Sequence, residues 1–200
     1  MENKTIKLKN SSFTKLYHSD ELSIDIACSI LALGGIIVYP TDTIYGFGCD
    51  AKNDYAIKKL NSIKRRKGPM TVLCPNTKTG LKWMLLPEKE KINAKIKLHQ
   101  NNTIIAPVKK DIVSNLITGK NQTLGIRISN HPFCTKLTQA YSGPITTTSV
   151  NRSGSNPHTN PDIIEKNFSN EINLLIQDGI INKSASKIYL FDNNKWINLR

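Results

Sequence analysis

Most of what would mark a secreted, membrane-spanning or metal-dependent protein is missing from this chain. Its four cysteines, Cys28, Cys49, Cys74 and Cys134, lie far apart with no Cys-x-x-Cys pair, which points to reduced, part-buried thiols rather than disulfides or a zinc site. His18, His99 and His158 have no ligand spacing between them, so a histidine-held metal is not expected. No apolar run approaches the roughly 20 residues needed to span a bilayer. Met1 to Lys15 is polar, without the apolar centre of a secretory signal, and a cytoplasmic location is the expectation. No Gly-x-x-x-x-Gly-Lys-Ser/Thr occurs, which excludes a P-loop. Gly46 to Ala51 matches the loose Gly-x-Gly-x-x-Ala dinucleotide pattern. However, Thr41 to Tyr45 separate it from the preceding strand and the next helix begins only near Asp54, so nicotinamide binding is disfavoured.

Acidic residues are also scarce, 15 against 28 basic ones, for a net charge of +13. Such a field attracts polyanions, which could be nucleotide phosphates, nucleic acid or an acidic membrane surface. A Lys- and Asn-rich composition from an AT-rich genome gives the same excess. With six Tyr and two Trp, base-stacking platforms for RNA are not obvious.

What is present is an even alternation of helical and extended patterns over 200 residues, the size of one ordinary domain. Helices are expected over Asp20–Leu33, from Asp54 to the basic run at Lys64–Lys67, over Leu81–Leu98 with a break at Pro87, and over Asp111–Leu116, Pro132–Ala140 and Pro161–Phe168. Strands are expected over Ile36–Tyr39, Met70–Cys74, Thr103–Pro107, Leu124–Ile128 and Ile145–Thr148, with weaker ones at Leu174–Ile176, Lys187–Phe191 and Trp196–Leu199. Interleaving of this kind predicts an α/β sheet with helices packed on it.

Two polar strings follow apolar, β-branched runs. The first is Tyr39-Pro40-Thr41-Asp42-Thr43-Ile44-Tyr45-Gly46-Phe47-Gly48. Thr41 and Thr43 share a side if the segment is extended, and a hydroxyl pair can serve both ends of an amino acid; a well-capped turn accounts for the same residues. The second is Thr147-Thr148-Ser149-Val150-Asn151-Arg152-Ser153-Gly154, where Ser149, Asn151 and backbone N–H groups could cradle an anion or simply form a Ser/Asn/Gly turn. Between them, Lys64 and Arg66 at a helix end read either as a phosphate clamp or as a solvated charge run. Arg127, in an otherwise apolar strand, needs an anionic partner: a substrate carboxylate or phosphate, or a structural Asp or Glu. His131 stands at a helix entry, where capping is its expected role.

Taken in order, the Pro40-Thr-Asp-Thr-Ile-Tyr-Gly46 string, Lys64-x-Arg66, Leu124-Gly-Ile-Arg-Ile128 followed by His131-Pro132, and Ser149-x-Asn151-x-Ser153-Gly154 resemble the YrdC family, the threonylcarbamoyl-adenylate synthases of TsaC type. The resemblance implies an α/β domain over residues 20–200 after an N-terminal extension, 1–19, with a twisted mixed sheet and a basic concave face. It implies a nucleotidyltransferase that converts L-threonine, bicarbonate or CO2 and ATP into threonylcarbamoyl-AMP and pyrophosphate. A TsaD-type transferase complex then uses this product to modify adenosine 37 of tRNA. Carried over by position, Lys64, Arg66, Ser149 and Asn151 are the catalytic set. Thr43, Arg127 and Thr147 bind threonine, and Lys64, Arg66, Thr123, Ser149 and Asn151 bind ATP. Mg2+ is expected on the phosphates, and direct contact with tRNA or double-stranded RNA is a further implication; no protein metal site and no membrane are implied. The chain departs from the family pattern in the short Lys64–Met70 stretch, at Leu98–Thr103, at Pro157 and at Ser186-Lys187-Ile188-Tyr189. The alternatives are a YciO-like paralogue of different substrate and a non-catalytic RNA-binding module.

Overall fold

The computed structural model describes residues 13–99 and 102–200; most of the expected N-terminal extension and part of the Leu98–Thr103 stretch lie outside them. In chain order the elements are β1 (Thr14–Tyr17), α1 (Ser23–Ala32), β2 (Ile37–Tyr39), β3 (Gly46–Gly48), α2 (Asp54–Lys64), β4 (Thr71–Leu73), α3 (Thr77–Trp83), α4 (Glu88–His99), β5 (Thr103–Pro107), β6 (Thr123–Arg127), α5 (Pro132–Ala140), β7 (Ile145–Ser149), α6 (Pro161–Phe168), β8 (Leu174–Gln177), β9 (Ile188–Asp192) and β10 (Lys195–Asn198). The strands form one mixed sheet in the order β1-β8-β2-β3-β7-β4-β6-β5-β9-β10. The α/β class with a mixed sheet and flanking helices is as the sequence predicts.

Local chemistry sets several boundaries. Pro132 and Pro161 open α5 and α6, where the missing N–H costs nothing, and the side chains of His131 and Asn160 cap them by accepting from Phe133 N and Asp162 N. Asn53 and Asn76 cap α2 and α3 in the same way.

Side chains alternate across the sheet with period two. Ile36, Val38, Val72, Ile104, Leu124, Ile126 and Leu175 pack in one cluster with α2 (Ile57, Leu60), α4 (Ala94, Leu98) and α6 (Ile164, Phe168). Their strand neighbours Ile37, Tyr39, Leu73, Leu174 and Ile176 pack on the other face with α1 (Ala27, Leu31) and α5 (Phe133, Leu137). Those two helices cover only part of that second face. On the same side, the rung Thr147–Thr71–Gly125–Ile105, in register across four strands, is the floor of a cavity.

Three expectations are corrected. The Asp111–Leu116 helix does not form: Asp111 takes a left-handed φ of 65°, and only a short 3-10 turn, Asn115–Ile117, follows, capped by Ser114. Gly46–Gly48, left out of the expected strands, is an internal strand between β2 and β7. A Cβ on Gly48 would stand 2.5 Å from the Tyr39 ring, so the aromatic side chain of β2 fills the space that glycine leaves. Finally, Thr14–Tyr17, assigned to the extension, pairs in parallel with β8 as the sheet edge.

Candidate active site

The cavity above that floor has a volume of about 440 Å3, ordinary for a small-molecule site. Its walls come from both polar strings, from the turn after α2, from β5 and β6, and from the segment ahead of β9. Among the described residues its wall carries three guanidinium groups, Arg66, Arg127 and Arg200, and no carboxylate side chain.

In the first string, Thr41 is buried and serves the turn. Its hydroxyl donates to Ile44 O at 2.6 Å, accepts from Thr43 N and Ile44 N at 3.2 Å each, and lies 3.2 Å from the Thr43 hydroxyl. The capped turn thus forms, and it leaves Thr41 and Thr43 on the cavity wall. Thr43 Oγ1 accepts from Arg127 Nη2 at 3.1 Å. The same Nη2 donates to Asp42 Oδ1 at 2.8 Å, so Arg127 has a structural carboxylate partner, while its Nε is buried without one.

The turn after α2 separates the two clamp residues. Arg65 adopts the left-handed conformation at φ 54°, which a non-glycine residue holds at a cost of roughly 1 kcal/mol. The chain reverses there, and Arg66 faces the cavity with Nη2 3.5 Å from Thr148 Oγ1 and Nε buried and unpartnered. Lys64 does not line the cavity. It is 3% exposed, and its Nζ donates to Ser149 O (2.6 Å), Asn151 O (3.1 Å) and Asn151 Oδ1 (3.0 Å). Burial, then the charge of Arg66, pushes its ammonium from the ordinary 10.5 down to about 8.

The second string is drawn taut by that ammonium. Ser149 Oγ donates to Asn151 Oδ1 at 2.7 Å, and Asn151 Nδ2 donates to Ser155 O at 2.5 Å. Ser153 N returns a bond to Lys64 O at 2.9 Å. Thr147 and Ser149 line the cavity; Asn151 stands behind it with Lys64.

Of the residues singled out from sequence, Thr43, Arg66, Thr123, Arg127, Thr147 and Ser149 thus share one cavity, and Lys64 and Asn151 brace it from behind. Sequence reasoning missed Arg200. This residue reaches the wall because Ile188 N donates to its carbonyl and its guanidinium donates to Ser186 O at 2.9 and 3.1 Å; a lone Arg closing a weak strand pattern gives no local signal. Among the described residues no group of three His, Cys, Asp or Glu converges to hold a metal ion, and no helix is long and apolar enough to cross a membrane.

Comparison with known proteins gives concordant matches. The Sua5/YciO/YrdC family model, whose description is "Telomere recombination", matches residues 29–200. A threonylcarbamoyl-AMP synthase of Pseudoalteromonas translucida is 30% identical over 166 residues, spanning 80% of this chain and 88% of that protein. One of Saccharophagus degradans is 36% identical over 129 residues, 62% of this chain and 66% of that protein. Among solved structures, P. abyssi Sua5 complexed with L-threonine superposes with a TM-score of 0.83 at 24% identity, over 94% of this chain and 56% of that one. E. coli YciO gives 0.80 at 21% identity, over 96% and 95%.

Proposed function

This chain belongs to the Sua5/YciO/YrdC family, and on that premise we propose that it is a threonylcarbamoyl-AMP synthase. It joins L-threonine, bicarbonate or CO2 and ATP into threonylcarbamoyl-AMP, with release of pyrophosphate. The observation that carries the reading is the single cavity in which both polar strings meet three guanidinium groups. The synthases named above support it, since likeness of fold does not by itself separate a synthase from YciO.

Each wall residue has a role that its chemistry supports. Arg127 faces the threonine carboxylate from the cavity wall, flanked by the hydroxyls of Thr43 and Thr147. Arg66 faces the phosphates, with the hydroxyls of Thr123 and Ser149 on the wall beside the nucleotide. Lys64 and Asn151 act as positioning residues: the ammonium holds the backbone on either side of Val150, fixing Ser149 in place.

The threonine ammonium first gives a proton to solvent; the free amine then bonds to the carbon of CO2 and loses a second proton to solvent as the carbamate forms. A carbamate oxygen then attacks the α-phosphorus of ATP, and the bond to the β-phosphate oxygen breaks to release pyrophosphate. No covalent enzyme intermediate is needed, so the protein contributes alignment and charge neutralisation. With no carboxylate side chain on the cavity wall among the described residues, Mg2+ would be carried on the triphosphate and water oxygens, the usual arrangement for this ion. The adenylate would pass to a TsaD-type transferase acting on tRNA in the cytoplasm, and the +13 charge suits transient contact with the RNA. Pyrophosphate release measured with ATP, bicarbonate and single amino acids tests the proposal. Threonine-dependent release is expected, and its absence in folded protein would overturn it.

A further inference from the structure

An α-amino acid carries an ammonium as well as a carboxylate, and a buried ammonium requires an acceptor. The cavity wall supplies cations in excess and no carboxylate side chain among the described residues. One carboxylate lies at the edge of the threonine end. Asp42 sits between Thr41 and Thr43, both on the cavity wall, and itself lines an adjoining chamber of about 620 Å3 that meets the first at Thr43. Its side chain is 14% exposed. Oδ1 accepts from Arg127 Nη2 at 2.8 Å and from Ser129 Oγ at 2.5 Å; Oδ2 takes neither bond. Ser129 Oγ accepts in turn from Asp42 N and His131 N, each at 3.3 Å, so the entry of α5 fixes the carboxylate.

We propose that Asp42 is the subsite for the α-ammonium of the substrate, and that the Arg127–Asp42 pair reads both charges of an α-amino acid. This rests on the reading of the cavity as a threonine site. The carboxylate and ammonium of an α-amino acid hang on one carbon, and the ion pair holds their two receptors side by side. Arg127, on the cavity wall, meets the carboxylate, and Asp42, whose Oδ1 is already engaged, offers Oδ2 to the nitrogen. The pair is electrically neutral, as is the zwitterion it receives, so binding strands no charge. The same contact orients the nitrogen, which takes up CO2 once it has given a proton to solvent, and Asp42 itself forms and breaks no covalent bond. The class selected is primary α-amino acids, against α-hydroxy acids of the same shape.

Calorimetric titration of wild type, Asp42→Asn and Ser129→Ala with L-threonine and with its α-hydroxy analogue, 2,3-dihydroxybutanoate, tests this. Wild type should prefer threonine by about 10- to 100-fold, the worth of a hydrogen bond to a charged group. In Asp42→Asn that preference should vanish: threonine weakens, while the hydroxy acid binds as well or better because a repelling carboxylate is gone. Ser129→Ala, which loosens Asp42 but keeps its charge, should retain the preference. If Asp42→Asn still prefers threonine, or weakens both ligands alike, Asp42 only anchors Arg127 and the proposal is overturned. Should that variant not fold by circular dichroism, Asp42→Glu, which displaces the charge, is expected to weaken threonine selectively, and unchanged discrimination would overturn the proposal. Wild type that binds neither compound would instead sink the threonine reading itself.

Discussion

Ile126 and Arg127 are adjacent in β6, as Val72 and Thr71 are in β4, and each pair straddles the sheet. Ile126 and Val72 lie fully buried in the apolar layer under α2, α4 and α6. Arg127 and Thr71 face the cavity that α1 and α5 leave uncovered. One face is closed by helices along its length and holds the fold together; the other is closed at one end and open where the chemistry is expected. Because successive side chains point oppositely, the same five-residue strand serves both, and the two functions should separate on mutation.

The largest expected effect tests the closed face. Ile126→Ala should cost about 2–5 kcal/mol of stability, a large part of the roughly 5–15 kcal/mol a domain has. It should leave the threonine KM of the surviving folded protein within about twofold, since the Ile126 side chain packs on the face of the sheet opposite the cavity. Urea denaturation alongside kinetics would reveal any mixing of the two roles. Next comes Arg66→Ala on the open face, expected to lower the rate of adenylate formation by about 10²–10³, the usual effect of removing a preorganised charge donor, with an unchanged melting temperature. A third substitution falls on the boundary. Gly125→Ala would place a Cβ 2.5 Å from Thr71 Oγ1 and 3.2 Å from Thr71 Cα, raising the cavity floor. About 1–3 kcal/mol of destabilisation is expected from such overpacking, together with weaker ligand binding, and the two losses should appear in the same variant.

The smallest effect concerns pH. Since burial lowers the Lys64 ammonium to about 8 from the ordinary 10.5, the folded chain holds that proton less tightly than the unfolded chain. The charged form therefore costs stability below about pH 8, and stability rises with pH from there towards 10.5, where the unfolded side chain also becomes neutral. Nucleotide affinity should move the opposite way, falling as the loop-holding ammonium is lost above about 8. Lys64→Met should flatten both profiles; if it flattens neither, Lys64 does not couple the loop to the nucleotide.

Elements with chemical punctuation were legible in the sequence. Helices α5 and α6 begin at a proline behind a capping side chain, and both run over their expected bounds, Pro132–Ala140 and Pro161–Phe168. Strand β5 does so as well, as a short β-branched run. Where residues were conformationally permissive the reading failed. Gly46-Phe47-Gly48 is a strand because Tyr39 and Thr147 pack against the space above its glycines, a contact across the sheet that no local pattern encodes. The Asp111 segment had a helix-like pattern, but left-handed Asp111 and the Ser114 cap turned it into a loop.

For the site, the sequence by itself determined which groups are available: the hydroxyls of Thr43, Thr123, Thr147 and Ser149 and the cations Lys64, Arg66 and Arg127. Only the tertiary structure decided how they are used. The left-handed turn at Arg65 sends Arg66 to the cavity and leaves Lys64 behind its wall. Strand order brings Asp42 against Arg127 across 85 residues, and the last strand pairing delivers Arg200. Hydrogen-bonding capacity belongs to the residue type, so composition reveals it. The partner that uses that capacity is fixed by which strands lie side by side, and that is settled by burying the apolar face of the whole sheet at once.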